Sequence, residues 1–455
     1  MYKIESLKAL FYRNLEVKLR DWANESKPKP LIIRGARQVG KTTLVQKISR
    51  QFDHFISLNL EKSQDSQFFA HTDNVKLILE TLLISQKMVV DEGDKVLLFI
   101  DEIQQNPQVI ALLRYFYEEL PQLHVIAAGS LLEFALGDVP SMPVGRVEQV
   151  ALHPMSFDEF LLANGQQLLY DKWNQLSFEP HLHALFMDSY MKYLVVGGMP
   201  AAVKQYVEDE FSLMRLPKIF DNIWLSYKED VAKYQQSQTN QKVLHFIMEH
   251  VPYELDRFSF AQFGQNLYKS REISEAFGQL EKASILSLVY PTTSLKLPLV
   301  PNYQKRPRIQ FLDTGMLLYL NKQQASILLG KNLQDQFRGG IMNHAVWQEI
   351  IARSDSPLAR HMFWVREESD TNAEVDLLLP FADGILPVEV KSGASGRLRS
   401  LFECIDRTDA NLAVRVLDNH LSIEKISTIK GKPFTLVNVP LYAVGKVLEI
   451  ANSIR

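Results

Sequence analysis

A chain of 455 residues, 46% apolar and 23% charged, is too long for one ordinary hydrophobic core and carries no compositional signature of disorder, so three or four domains in series are expected. Its 50 basic and 53 acidic residues leave a formal charge of -3, which excludes a global field drawing the chain to nucleic acid or an anionic membrane. The single cysteine, Cys404, excludes an intramolecular disulfide and a cysteine-rich zinc site and suits a cytoplasmic setting.

Residues 1 to 27 read as an N-terminal helix and linker, with Leu7, Leu10, Phe11, Leu15, Val17 and Leu19 near helical spacing before KPKP breaks the pattern. Lys3, Glu5 and Lys8 stand where a signal peptide needs its apolar stretch, and no run of about 18 apolar residues follows, so neither export by that route nor a membrane span is expected. From Leu31 an α/β rhythm begins: strand LII, a glycine loop, helix TLVQKISR, strand FISLNL, a helical stretch over 72–88 and strand VLLFI over 96–100. Asn106 and Pro107 open a helix that Pro121 closes, and strand VIAA follows at 125–128, giving a core over 28–155.

Gly35, Gly40, Lys41 and Thr42 match GxxxxGK[ST] after a strand and at the opening of a helix, the context that a phosphate-binding loop requires. Backbone N–H groups from Gly35, Ala36, Arg37, Gln38, Val39, Gly40, Lys41, Thr42 and Thr43 would then face phosphate oxygens. Lys41 reaches the β/γ-phosphates and the Thr42 hydroxyl reaches Mg²⁺. Strand 96–100 ends in Asp101 and Glu102, placing two carboxylates at a strand's carboxyl edge, where open α/β sheets bind ligands. Asp101 suits Mg²⁺ through water, and Glu102 suits orienting or deprotonating the attacking water. Ser130, after the next strand, is either a γ-phosphate sensor or a turn serine; Arg146 either stabilises transition-state charge in its own or a neighbouring subunit or lies on the surface.

The segments GARQVGKTT, LLFIDEIQ, AAGS, VGRVEQVALHPMSFDEF, YLVVGGMPAAV, YKEDVAKY, FLDTGMLLYL, AEVDLLLP and PVEVKSG together resemble bacterial and archaeal AAA-type P-loop ATPases. The relatives in question carry a C-terminal domain of unknown function with a restriction-endonuclease-like core. The resemblance implies a parallel-sheet ATPase core, a helical lid over 156–234, a winged-helix segment over 235–300, a restriction-endonuclease-like α/β domain over 301–455, ATP and Mg²⁺ as ligands, and ring homo-oligomers. The residues alone agree that strands vanish between Phe157 and Tyr234, and that 241–290 reads as three helices followed by the β-prone ILSLVY.

Within that segment the third helix, Ser270 to Ala283, carries Arg271 and Lys282 against Glu272, Glu275 and Glu281, a poor phosphate-facing surface. The basic stretch Lys305, Arg306 and Arg308 is left as a backbone contact or a solvated face.

Strands AEVDLLLP and ILPVEVK flank the turn FADG. If the hairpin centres on Ala382 and Asp383, Asp376 opposes Glu389; if on Asp383 and Gly384, Asp376 opposes Lys391. Helix 341–352 sets Glu349 in the middle of its apolar stripe, where a buried carboxyl needs a partner. Asp376, Glu389, Lys391 and Glu349 resemble the Mg²⁺-binding pattern of restriction-type nucleases, with the departure that Asn343 stands at the usual glutamate position.

The chain therefore reads as an AAA-type ATPase that drives conformational change in its C-terminal domains and acts on an unidentified protein or nucleic-acid partner, without a membrane. The alternatives are an ATP-gated metal-dependent nuclease and a nucleotide-dependent binding protein with little turnover.

Overall fold

A computed structural model describes residues 11–135, 139, 141, 143–233, 237–265, 267–328, 335–366, 373–382, 384–393 and 396–454. The chain forms two compact units, the first running to His153 with short returns at 282–285 and 354–358, and the second taking the remainder. Among the described residues no helix is long and apolar enough to cross a membrane.

The first unit is a five-stranded parallel sheet of β1 (Leu31–Arg34), β2 (His54–Asn59), β3 (Val96–Asp101), β4 (His124–Ala128) and β5 (Glu148–Ala151), in the order β2-β3-β4-β1-β5. Its longer helices are α1 (Leu15–Trp22), α2 (Lys41–Ile48), α3 (Val75–Ser85) and α4 (Pro107–Glu119). The central strands are apolar apart from Arg34, Asp101 and His124 at their ends, as strands covered on both faces must be, and Ile32, Ile56, Leu98, Ile100 and Ala127 join Ile78 of α3 and Val109, Leu113 and Phe116 of α4 in one core. Asn106 caps α4 by accepting from the Gln108 N–H, with Pro107 in the first turn as its sequence predicts. Strand β5 is an element that sequence reading does not find: four half-polar residues held to the edge of β1 from Leu31↔Glu148 to Arg34↔Ala151.

The second unit begins with helices α5 (Phe157–Ala163), α6 (Gln167–Asn174), α7 (His183–Val196), α8 (Pro200–Glu208) and α9 (Leu216–Lys233). A capping box starts α5: the Ser156 hydroxyl accepts from the N3 backbone while the Glu159 carboxylate takes the Ser156 N–H. Then come α10 (Gln238–His250), a single turn at Phe260–Phe263, α11 (Ser270–Lys282) and an antiparallel pair of β6 (Leu286–Val289) with β7 (Arg308–Phe311). That pair straddles residue 300, so the expected segment boundary there divides two bonded strands.

Helices α12 (Thr314–Leu320) and α13 (Asp335–Ala352) lead into a six-stranded mixed sheet. Its strands are β8 (Met362–Val365), β9 (Glu374–Phe381), β10 (Gly384–Val390), β11 (Leu412–Leu417), β12 (Ser422–Ser427) and β13 (Pro433–Pro440), ordered β12-β13-β11-β10-β9-β8. Helices α14 (Arg399–Asp406) and α15 (Val447–Ile454) complete the unit, with Cys404 of α14 buried in its core.

Two of the sequence segments meet in this unit. The Asp313 carboxylate, fully buried, caps α12 by accepting from the Met316 N–H at 2.9 Å and also accepts from the Gly198 N–H at 2.6 Å. Gly315 packs so closely on the Gly197 backbone that a Cβ would lie 2.5 Å from the Gly197 nitrogen. YLVVGGMP and FLDTGM are therefore one packing joint, with glycines where two main chains touch.

Candidate functional site

The loop between β1 and α2 bends through three left-handed residues, Gly35 (φ 147°), Gln38 (φ 64°) and Gly40 (φ 98°), the alternation that gathers N–H groups into an anion-binding concavity. A Cβ on Gly35 would overlap the Leu152 carbonyl oxygen, so glycine is the residue that lets β1 and the segment after β5 approach. At the opening of α2 the Lys41 ammonium donates to the carbonyls of Gly35 (2.9 Å) and Ala36 (2.8 Å). Burial lowers its pKa to about 8, opposed by the carboxylates of Glu102 and Asp101.

Because β4 lies between β1 and β3, the carboxyl ends of all three strands converge on this loop. The Thr42 hydroxyl donates to Asp101 Oδ2 at 2.7 Å, so the two predicted cation ligands already meet. Both are hard oxygen donors, and a pair of protein ligands that leaves the remaining positions to phosphates and waters suits Mg²⁺.

Glu102 follows in a left-handed conformation (φ 53°) unusual for a side-chain-bearing residue, a strain of the kind that clusters at working sites. Burial raises its pKa, and the Gln104 amide, donating to its carboxylate at 2.5 Å, pulls the other way. Gln104 is wedged against the end of β4, where a Cβ on Gly129 would overlap its amide oxygen. Ser130, next along, is buried at that same strand end.

Arg146 is not brought into this group. It pairs with Glu118 on α4 at 3.2 Å, and its side chain is 47% exposed. Arg37, Val39 and Thr43 complete the loop and the first turn of α2.

Sequence reasoning misses Arg13. Its guanidinium is buried and donates to the Val39 carbonyl at 2.7 Å and to the His153 carbonyl at 2.6 Å, tying the segment before α1 to the phosphate loop. A lone arginine before an amphipathic helix gives no local signal of such a role.

In the second unit the β9–β10 register runs from Phe381↔Gly384 to Leu377↔Val388. This is the first of the two alternatives, and one step further it sets Asp376 opposite Glu389; Asp383, in the turn, lies outside the described residues. Asp376 Oδ1 accepts from Asn343 Nδ2 (2.6 Å) and from Arg308 Nη1 (3.3 Å) and Nη2 (3.2 Å), and Oδ2 accepts from the Val390 N–H (2.9 Å). Arg308 also pairs with Glu374, which takes Arg257 at 2.9 Å, and its guanidinium lies 4.7 Å from the Phe363 ring centroid. Lys391 donates to Glu389 at 2.6 Å, while burial and the neighbouring Asp376 push the Glu389 carboxyl up.

Two expectations are corrected here. Arg308 is not part of an exposed basic stretch, because β7 turns it inward onto two half-buried carboxylates, Glu374 and Asp376. Glu349 does not join the cluster: six positions after Asn343 on α13, it faces another side of the helix and accepts from the Phe157 N–H at 2.8 Å. A divalent metal does not fit beside Asp376 in this arrangement, since Arg308 already supplies the cation that facing carboxylates need. Among the described residues no group of three or more His, Cys, Asp and Glu is placed to hold a metal ion.

Burial raises the Glu349 carboxyl to about 8, with Asp158 adding to the shift. A raised pKa means that stability is full below the ordinary carboxylate value of about 4.3 and is lost as pH rises from there through about 8. Glu349→Gln is expected to remove that slope, gaining on the parent by a few kcal/mol, on the order of 4, between pH 5 and 9. Urea unfolding at the two pH values reads it, and parallel slopes would refute it.

The five-stranded parallel sheet and the phosphate loop are those of a P-loop nucleotide-binding core. Residues 27–161 match the family model described as an AAA domain, and residues 187–327 match one described as a domain of unknown function. The second match begins within α7 and ends beyond α12, before the six-stranded sheet. An uncharacterized protein of Methanocaldococcus jannaschii is 21% identical over 319 residues, 66% of this chain; the match spans 64% of that relative's length. A solved Walker-type ATPase of Pyrococcus abyssi is similar at 13% identity and a TM-score of 0.44, over 68% of this chain and 96% of its own.

Proposed function

We propose that the first unit binds ATP with Mg²⁺ and hydrolyses it, and that turnover changes the conformation of the helical and C-terminal segments that engage a protein or nucleic-acid partner. The observation that carries this reading is the convergence of Lys41, Thr42, Asp101 and Glu102 at the carboxyl ends of β1 and β3, the parallel strands on either side of β4.

The loop N–H groups hold phosphate oxygens, and Lys41 exchanges its two carbonyl partners for the β/γ-phosphates. Thr42 and Asp101 would hold the Mg²⁺ ion, which neutralises developing charge on phosphate when bound. Glu102 accepts the proton of the attacking water once Gln104 releases its carboxylate, and Ser130 lies where a hydroxyl can contact the γ-phosphate. Arg146, exposed at the surface, suits a neighbouring copy in a ring better than its own phosphates.

Phosphate release by the purified chain tests this. Lys41→Ala is expected to abolish turnover and to weaken ATP binding about 10- to 100-fold, the worth of a charged hydrogen-bond donor. Background release equal in the parent and in Lys41→Ala would leave a nucleotide-dependent binding protein. Adding DNA, RNA or co-purifying protein to the same assay identifies the partner class by stimulation.

A further inference from the structure

The phosphate loop works only if its N–H groups point inward, and a planar trans peptide sends its carbonyl and its N–H in opposite directions. Holding a loop carbonyl from outside therefore aims the next N–H inward. At one peptide of this loop the outside hold is visible: Arg13 Nη1 takes the Val39 carbonyl at 2.7 Å, and the other half of that peptide is the Gly40 N–H, at the N-terminal end of α2. Arg13 Nη2 takes the His153 carbonyl at 2.6 Å, one residue beyond Leu152, whose own carbonyl packs on Gly35. The two ends of the loop are thus tied to the same crossing segment, one by packing and the other through a single guanidinium.

The segment that carries Arg13 is fastened along the whole of α2. The Arg13 N–H donates to Glu16 Oε1 at 2.9 Å, and the same buried carboxylate takes Lys47 Nζ, from the last turn of α2, at 2.6 Å. Lys47 also donates to the Phe11 carbonyl at 3.2 Å. Residues 11–20 therefore grip α2 at both ends, and the planar guanidinium meets the two carbonyls with donors on two different nitrogens held in a rigid fork, whereas an ammonium presents all its donors from a single atom.

We propose that Arg13 is a positioning residue for the nucleotide site: by holding the Val39 carbonyl outward it presets the Gly40 N–H toward phosphate, so nucleotide affinity depends on the segment before α1 being docked. The inference rests on the reading of this loop as the ATP site. Arg13 touches no nucleotide and takes no part in bond breaking. Its loss shows as weaker binding by a loop that must first be ordered.

The test measures equilibrium binding of a fluorescent ATP analogue and steady-state phosphate release for the full chain, Arg13→Ala, Arg13→Lys and Glu16→Gln. Arg13→Ala is expected to raise the dissociation constant and KM about 10- to 100-fold, with kcat changed by less than about 3-fold. Arg13→Lys keeps the charge and the stem and is expected to recover little of the affinity. Glu16→Gln loosens the docked segment while leaving the Arg13 side chain in place and is expected to weaken binding in the same direction. Thermal melting of each variant without nucleotide separates misfolding from loss of affinity. Where Arg13→Ala melts early, the Arg13→Lys and Glu16→Gln results decide. Unchanged affinity in folded Arg13→Ala, full rescue by Arg13→Lys, or equal loss of kcat and affinity overturns the proposal. A parent chain that binds no nucleotide overturns the ATP-site reading itself, which keeps the two failures distinct.

Discussion

Glu102→Gln is expected to cut phosphate release about 10²- to 10⁴-fold while leaving ATP affinity within a few-fold of the parent. The amide keeps the size and the buried setting of the side chain but cannot take a proton from water. The binding groups, Lys41, Thr42 and Asp101, are untouched, and Thr42 still reaches Asp101. The contact that Gln104 makes with Glu102 survives, because an amide oxygen accepts as a carboxylate does. Single-turnover phosphate release set beside equilibrium binding separates the two effects. A parallel loss of affinity would assign Glu102 to binding, and unchanged release would place the base elsewhere.

Arg308→Ala is expected to destabilise the second unit by about 3 kcal/mol, the lower end of the cost of leaving a buried charge without its partner, since the carboxylates left behind are half-buried. The guanidinium is the shared cation of Asp376 and Glu374, stacked on Phe363, and Asn343 and the Val390 N–H satisfy Asp376 without neutralising it. Neutralising both carboxylates in the same background, with Asp376→Asn and Glu374→Gln, is expected to return part of the loss, a coupling that a double-mutant cycle isolates. Urea unfolding midpoints read the effect, and a loss below about 1 kcal/mol would mean that the pair behaves as an exposed one. Divalent-metal-dependent cleavage of DNA by the parent chain, abolished by Asp376→Ala, would show that Arg308 yields its place to a metal.

The legible parts of the molecule are those whose partners lie within a few residues. Gly35 to Thr43 declares its chemistry because the loop, the lysine and the hydroxyl are contiguous, and Asp101 and Glu102 are visible because an apolar strand ends on them. Asn106 and Pro107 foretell the start of α4 for the same reason.

Partners chosen across the fold are not written locally. Periodicity places Glu349 on the buried stripe of α13, but the Phe157 N–H that it meets is 192 positions away. Arg308 reads as one member of a basic run because only the position of β7 turns it toward Asp376, 68 residues on. The hairpin alternatives for β9 and β10 depend on one turn, and moving its centre by one residue shifts the pairing by two, which decides whether Asp376 opposes Glu389 or Lys391. Strand β5 has too few apolar residues to announce itself and exists because β1 offers it an edge.

The packing joint between Gly198 and Asp313 has a consequence for the order in which the chain folds. The two residues are 115 positions apart; the Glu349 bond to Phe157 spans 192 positions, and that from Trp173 to the Tyr442 carbonyl spans 269. The helices from Phe157 to Val196 therefore bury their inner polar groups against segments that leave the ribosome much later. At about 5 to 20 residues per second, the stretch from Phe157 to Val196 waits on the order of 10 seconds or more for Tyr442 to emerge. During that interval the parallel sheet of the first unit, whose strands all precede Pro154, can already close. A nascent chain caught midway would expose the aromatic faces of α5 and α7, the stage at which chaperone capture or aggregation is decided.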